Sequence, residues 1–130
     1  MEIDLPDVVA EVKAVFERYE AAIVSNDVEA LGAMFHADPR TIRYGAGENL
    51  YGYAEILAFR VARSPVGLGR TISKTVITTY GREFATAATL YARPSAAGKI
   101  GRQMQTWVKF PEGWRVVAAH VSLIDPPKQT

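Results

Sequence analysis

Two side chains in the first third of the sequence could together bind a small anion and donate a proton to it. Arg43 follows Thr41 and Ile42 in a short strand-like stretch beside a glycine-bearing loop. Its planar guanidinium can hold a carboxylate through two hydrogen bonds and keeps its charge even when partly buried. Tyr19 is the one polar-tipped residue on an otherwise apolar helical stripe, so its phenol could donate a proton into an interior site. A phenol with a pKa of about 10 is a weak acid, but a neighbouring guanidinium would lower that pKa.

Both residues also have a purely structural explanation. An arginine at a strand edge commonly forms a surface salt bridge, which contributes little to stability. A tyrosine on an apolar helix face is commonly a core residue whose hydroxyl has found a partner. From the residues alone, the structural explanation is the commoner one for Tyr19 and for Arg43.

A histidine and a serine on the last predicted strand extend the candidate site. His120 and Ser122 alternate along that strand and are predicted to share a face with Trp114, Val116 and Ala118. Small residues beside a histidine favour a pocket wall, and histidine is well suited to moving protons near neutral pH. A histidine hydrogen-bonded within the sheet explains the pattern equally well. We predict His120 as a third catalytic residue and Ser122 as a substrate ligand.

Two glutamines on the preceding strand depend on the register of the hairpin. A two-residue turn at Glu112-Gly113 would pair Gln105 with His120, whereas a three-residue turn would pair Met104 with it. A slip of one residue moves every side chain to the opposite face. The tighter turn is the stronger hairpin signal and favours Gln103 and Gln105 as pocket residues.

The remaining polar candidates are weaker, and the composition excludes several kinds of site. Asn49, in the glycine-bearing loop, could bind substrate, although turn-forming asparagines are more often structural. The chain has no cysteine, and His36, the only other histidine, has no metal-ligand spacing. We therefore expect neither a metal nor a cofactor.

The charge balance and the hydropathy narrow the choice of partner. Fifteen basic and fourteen acidic residues give a net charge of +1 with no block of like charges, which argues against a nucleic-acid partner. No apolar run approaches the roughly 20 residues that span a bilayer. The N-terminus is acidic and lacks the features of a signal peptide, so we expect a cytoplasmic protein without a membrane partner.

Hydrophobic periodicity predicts the elements that position these residues. Apolar spacings of three and four indicate three helices: a first with Asp4 as its N-cap and Pro6 in its first turn, a second capped by Asn26 or Asp27, and a third over about 53–63. Runs rich in Thr, Val and Ile predict a short strand and four long ones. These strands span 41–44, 71–80, 84–92, 100–110 and 114–124.

Helices followed by an antiparallel meander indicate an α+β fold with a single domain over residues 1–130. The last two hairpins have strands of about 10 residues, which is long against a usual 5 or 6. Long strands twist and curl, so we predict N-terminal helices packed on a curved antiparallel sheet that encloses a pocket.

Residues 107–122 (WVKFPEGWRVVAAHVS) resemble the ending shared by SnoaL-like members of the NTF2-like superfamily. More narrowly, the chain resembles the AtzH-like proteins, which include the oxalurate-catabolism protein HpxZ. The matching stretches are 4–12 (DLPDVVAEV), 38–52 (DPRTIRYGAGENLYG) and 101–107 (GRQMQTW), of which the middle one is the specific signal.

The resemblance implies an NTF2-like cone and a small enzyme that acts beside an amidase in the degradation of ureido compounds. The activity best understood in that family is removal of a carboxyl group from 1,3-dicarboxyurea. The family's catalytic tyrosine and arginine fall on Tyr19 and Arg43, which favours the functional explanation for both. The resemblance also implies a small anionic ureido substrate and a homodimer.

Two other functions remain open from the sequence. The chain could be a non-catalytic dimeric module that supports a partner amidase, since the fold hosts many unrelated roles. An isomerase or dehydratase of the ketosteroid-isomerase type fits the fold, but no aspartate stands on a C-terminal strand where its base would be expected.

Overall fold

The computed structural model describes residues 1–128, so the predicted domain boundary at residue 130 lies outside the described residues. The helices are α1 (Pro6–Ser25), α2 (Val28–Met34) and α3 (Tyr53–Ala62), with a 3-10 turn at Pro94–Ala96. The strands are β1 (Ile42–Tyr44), β2 (Asn49–Tyr51), β3 (Thr71–Tyr80), β4 (Phe84–Ala92), β5 (Ile100–Phe110) and β6 (Gly113–Ile124).

All six strands join one curved sheet in the order β2-β1-β6-β5-β4-β3. The β1–β6 pair is parallel, and every other neighbouring pair is antiparallel. The helices cover the inner face, where they share one hydrophobic core with β4, β5 and β6. The α+β prediction with helices packed on a curved antiparallel sheet is confirmed.

Helix α1 buries the stripe that its periodicity predicts, and Tyr19 lies on that stripe. The predicted cap is wrong, because Leu5 occupies the N-cap position and makes no side-chain cap. Asp4 instead has a left-handed backbone (φ 58°), and its carboxylate accepts a hydrogen bond of 2.9 Å from the Thr79 backbone N–H. Asp4 therefore ties the N-terminal segment to β3. At the second helix, Asp27 is the cap and accepts from the Ala30 N–H.

A β-bulge in the β5–β6 hairpin decides which residues of β6 face inward. Phe110 pairs with Gly113 and Trp107 with Val116, but the next pair is Thr106 with Ala118. One extra residue on β6 is left over, and an extra residue reverses the alternation of side chains beyond it. Consequently Trp114 and Val116 are buried on one side of the bulge, whereas Ala119 and Val121 are buried on the other.

The outer face of the sheet is partly apolar. Val76, Phe84 and Met104 are all exposed there. Among residues 1–128, no helix has the length and apolar character needed to cross a membrane.

Candidate active site

Five buried polar side chains lie between the sheet and the helices that cover its inner face, and we call them the inner cluster: Tyr19, Arg43, Arg60, Gln103 and Gln105. Each is almost completely buried, with 1% of Tyr19, 5% of Arg43 and 1% of Arg60 exposed. Helix α1 supplies the tyrosine, β1 and α3 supply the arginines, and β5 supplies the glutamines. Tyr19, Gln103 and Gln105 are buried on the inner side as expected, but the predicted pairing of Gln105 with His120 is wrong. Phe110 pairs with Gly113, and the bulge places Met104 opposite His120 and Gln105 opposite Ala119.

Tyr19 lies between aromatic rings and a guanidinium. Its ring packs at 6.1 Å from Phe35 and edge-on at 6.3 Å from Trp107, and Arg60 Nη2 donates a hydrogen bond of 3.1 Å to its hydroxyl oxygen. Burial alone would raise the pKa of the Tyr19 phenol. The positive charges of Arg60 and Arg43, with the Arg60 hydrogen bond, outweigh burial and lower that pKa below its ordinary value. Tyr19 is thus a stronger acid than a solvent-exposed tyrosine.

Arg43 is held by one carboxylate from the glycine-bearing loop. Its Nη1 lies 3.0 Å from Glu48 Oε1, and its guanidinium lies 5.4 Å from the centre of the Phe59 ring. The Glu48 carboxylate folds back over Gly45, where an added Cβ would come within 1.6 Å of Oε1. A side chain at position 45 would therefore require the Glu48 carboxylate to move.

A second ion pair lies beside the inner cluster. Arg70 binds the Glu20 carboxylate and donates a hydrogen bond of 2.9 Å to Gln103 Oε1. The Tyr91 ring lies against the guanidiniums of Arg70 and Arg93, at 4.6 and 5.1 Å. This network holds the Gln103 side chain in place and pairs the positive charge of Arg70 with the Glu20 carboxylate.

The inner face carries more positive than negative charge. Five arginines form what we call the arginine group, in which the positive charges of members lower the pKa of Tyr19, Arg63 or Arg93: Arg43, Arg60, Arg63, Arg70 and Arg93. Within residues 1–128, two of them form ion pairs with carboxylates, Arg43 with Glu48 and Arg70 with Glu20. Burial and the charges of Arg60 and Arg43 lower the pKa of Arg63.

Several buried donors of this region have no acceptor within the described part of the chain. They are Arg43 Nε, Arg60 Nε and Nη1, Arg63 Nε, Arg93 Nε and Gln105 Nε2. All are N–H groups, and a buried donor without a partner costs roughly 1–3 kcal/mol. A site that combines spare donors with excess positive charge suits an anion rich in oxygen atoms.

The AtzH-like family model matches residues 1–127. The chain belongs to the AtzH-like family. The protein is similar to a solved structure of unknown function from the DUF3225 family of Pectobacterium atrosepticum, at 58% identity over 95% of each chain with a TM-score of 0.92. It is similar to a cystatin-like fold protein from Burkholderia xenovorans, at 46% identity over 98% of this chain and 99% of that one with a TM-score of 0.93.

More distant structures support the superfamily. An NTF2-like superfamily protein from Salmonella enterica serovar Typhimurium is 25% identical over 95% of this chain and 94% of that one, with a TM-score of 0.68. No curated protein matches the chain. The AtzH-like protein thus has the NTF2-like fold that its C-terminal hairpin predicted.

The predicted site residues His120, Ser122 and Asn49 lie apart from the inner cluster, so the structure does not bring them together with Tyr19 and Arg43. His120 pairs with Met104 and is exposed on the outer face, because the bulge reverses the alternation on β6. Ser122 shares that face, where its hydroxyl accepts a hydrogen bond from Arg102 Nε. Asn49 is exposed at the start of β2, where it pairs with Tyr44. None of these three reaches the inner cluster of the AtzH-like protein.

We expect the His120→Ala variant to retain activity within about twofold, since surface substitutions away from structural features have small effects. The measurement is kcat and KM on any substrate that the wild-type protein turns over. A loss of tenfold or more in a folded variant would contradict the outward placement of His120.

Arg60 is the member of the inner cluster that hydrophobic periodicity does not predict. On α3, Ile56 is buried and Val61 is exposed. Arg60 follows Ile56 by four residues and therefore lies on the same helix face. A cation at a core-facing position was the signal that could have found it. Among residues 1–128, no group of three or more His, Cys, Asp or Glu is suited to hold a metal ion.

Proposed function

We propose that this AtzH-like protein is a small enzyme of ureido-compound catabolism that works without a cofactor. It removes the carboxyl group of an N-carboxylated urea such as dicarboxyurea, with hydrolysis of an oxalurate-like ureido acid as the related reaction. The observation that supports the proposal most directly is the set of buried N–H donors of the arginine group and Gln105 that have no acceptor among residues 1–128. Buried charge without compensation is strongly unfavourable, so the inner face suits a carboxylate ligand.

The reaction needs little beyond placement and one proton. In an N-carboxylated urea, the bond between nitrogen and the carboxyl carbon breaks, and its electron pair stays on nitrogen. Nitrogen takes a proton, and the carboxylate leaves as carbon dioxide. A positioned acid typically contributes 10²–10⁴-fold to such a step.

Tyr19 is the acid in this scheme and Arg43 is the anion ligand. The phenol protonates the departing urea nitrogen and becomes a phenolate, which the charges of Arg60 and Arg43 stabilise. Solvent then returns the proton. Arg43 holds one substrate carboxylate through its fork, for which its unpartnered Nε is available.

The test is release of carbon dioxide and of ammonia from a panel of ureido acids, generated by an amidase in the same vessel where they are unstable. Faster carbon dioxide release without extra ammonia, lost in Tyr19→Phe and Arg43→Ala, is the expected result. No acceleration on any member of the panel would contradict an enzymatic role.

The second candidate function is a dimeric accessory module that supports a partner amidase. The observation that favours it is the exposed apolar surface of the outer sheet face, represented by Met104 (57% exposed) and Val76 (59% exposed). Exposed apolar patches often mark interaction surfaces. Co-purification of an amidase with the protein from its native source, without catalysis in the assay above, is the result expected for this function.

A further inference from the structure

The proton donor of the proposed reaction makes one side-chain hydrogen bond within the described residues, and Arg60 provides it. The Arg60 Nη2 lies 3.1 Å from the Tyr19 hydroxyl oxygen. A guanidinium can only donate, so the tyrosine oxygen is the acceptor. The phenol hydrogen is therefore left free to point elsewhere, which is the orientation a proton donor needs.

Arg60 is held in place by its surroundings. Its side chain is 1% exposed, and its guanidinium lies 5.3 Å from the Phe35 ring centre and 5.9 Å from that of Tyr19. An arginine stacked on two aromatic rings is restricted in the positions it can take. Rigid placement of Arg60 fixes the direction from which the Tyr19 oxygen is approached.

We propose that Arg60 is the positioning residue of the Tyr19 acid: it occupies the acceptor side of the phenol oxygen and directs the phenol hydrogen toward the substrate. The inference rests on the proposed function for its catalytic consequence, but the hydrogen bond itself can be tested without any substrate. Arg43 and Arg70 add positive charge from β1 and from the loop before β3, without a hydrogen bond to Tyr19.

The first experiment follows the phenol directly. The chain has six tyrosines, so ultraviolet phenolate absorbance is titrated in the wild type and in Tyr19→Phe, and their difference reports Tyr19. The same subtraction is made between Arg60→Gln and the Arg60→Gln/Tyr19→Phe double variant. Loss of a neighbouring positive charge should move the Tyr19 midpoint upward by about 1–3 pH units. Circular dichroism defines the pH range over which each variant is folded.

Two further variants make the result specific. Arg60→Lys keeps the charge and loses the planar fork, so the midpoint of its Tyr19 titration should lie between those of the wild type and Arg60→Gln. If Arg60→Gln does not fold, Arg60→Lys is used for the test instead. Arg63→Gln is the matched control, because Arg63 directly follows α3 as its C-cap residue and donates to Asn26 rather than to Tyr19. Its shift should be less than half of that in Arg60→Gln. An unchanged Tyr19 midpoint in folded Arg60→Gln, or an equal shift in both variants, would overturn the proposal.

The second experiment tests the catalytic consequence. In Arg60→Gln, kcat for carboxyl release should fall at least tenfold, with a smaller change in KM, and the alkaline limb of the kcat profile should move with the Tyr19 midpoint. A shifted midpoint with an unmoved alkaline limb would overturn the positioning role. If no ureido acid is turned over at all, the proposed function fails, whereas the phenol titration still decides whether Arg60 controls Tyr19.

Discussion

The Tyr19→Phe variant should lose about 10²–10⁴-fold in kcat for carboxyl release while it retains the wild-type fold. Phenylalanine keeps the ring that packs on Phe35 and Trp107 and removes only the hydroxyl. The wild-type rate should also fall as the pH rises, because the reaction uses the protonated phenol. Since the pKa of Tyr19 is lowered, that fall begins at a lower pH than for an ordinary tyrosine. Initial rates across a pH series measure both effects.

Tyr80→Phe is the control for this prediction. Tyr80 lies at the end of β3 against Phe84, away from the inner cluster, so its variant should keep the wild-type kcat. If Tyr19→Phe retained full activity, or lost activity without losing the alkaline limb of the profile, Tyr19 would not be the acid.

The Arg43→Ala variant should lose roughly 30- to several-thousand-fold in kcat/KM, because truncation of one partner of a buried charge pair costs about 2–5 kcal/mol. Two effects contribute. The substrate carboxylate loses its ligand, and Glu48 loses its partner and adds an uncompensated negative charge beside the site. Steady-state kinetics on the substrate found in the release assay measure the loss.

The two contributions to the Arg43 effect can be separated. Arg43→Lys keeps the charge without the fork, so it should recover only part of the activity. In the Arg43→Ala/Glu48→Gln double variant, any activity regained over Arg43→Ala reports repulsion by Glu48. Arg40→Ala is the matched control, since Arg40 lies nearby in the chain with a side chain that is 89% exposed. Equal losses in the Arg40 and Arg43 variants would refute a specific role for Arg43.

The elements that strong local signals define were predictable from the sequence. The bounds of β3, β4 and β5 agree with the predicted strands because β-branched runs end at turn residues there. Strand β2 was not predicted, because three residues after a glycine-bearing loop carry no periodicity of their own. Its partner β1 supplies the pairing, and that long-range contact leaves no local trace in the sequence.

The site was predictable only where a resemblance or a clear face assignment supported it. Tyr19 lies on an apolar stripe whose direction is fixed by α1, so its inward placement follows from periodicity. The inward placement predicted for His120 was wrong, because the bulge on β6 contains no glycine or proline that would indicate it in the sequence. Arg60 was not predicted, because hydrophobic patterning assigns an arginine to the surface, whereas here Arg60 lies on the buried face of its helix.

The excess of buried cations also links ligand occupancy to folding. A protein that binds an anion only in its native state gains RT ln(1 + [L]/Kd), which is about 2.7 kcal/mol at a hundredfold excess over Kd. For a chain of this size that gain corresponds to a rise of about 10 °C in melting temperature. Calorimetry should therefore rank carboxylates by how much each raises the melting temperature, even before any turnover is seen. In Arg60→Met, these ligand-induced rises should be smaller, and the melting temperature of the free protein should be higher. The ligand that best compensates the buried positive charge would then be recognised by the largest rise in melting temperature.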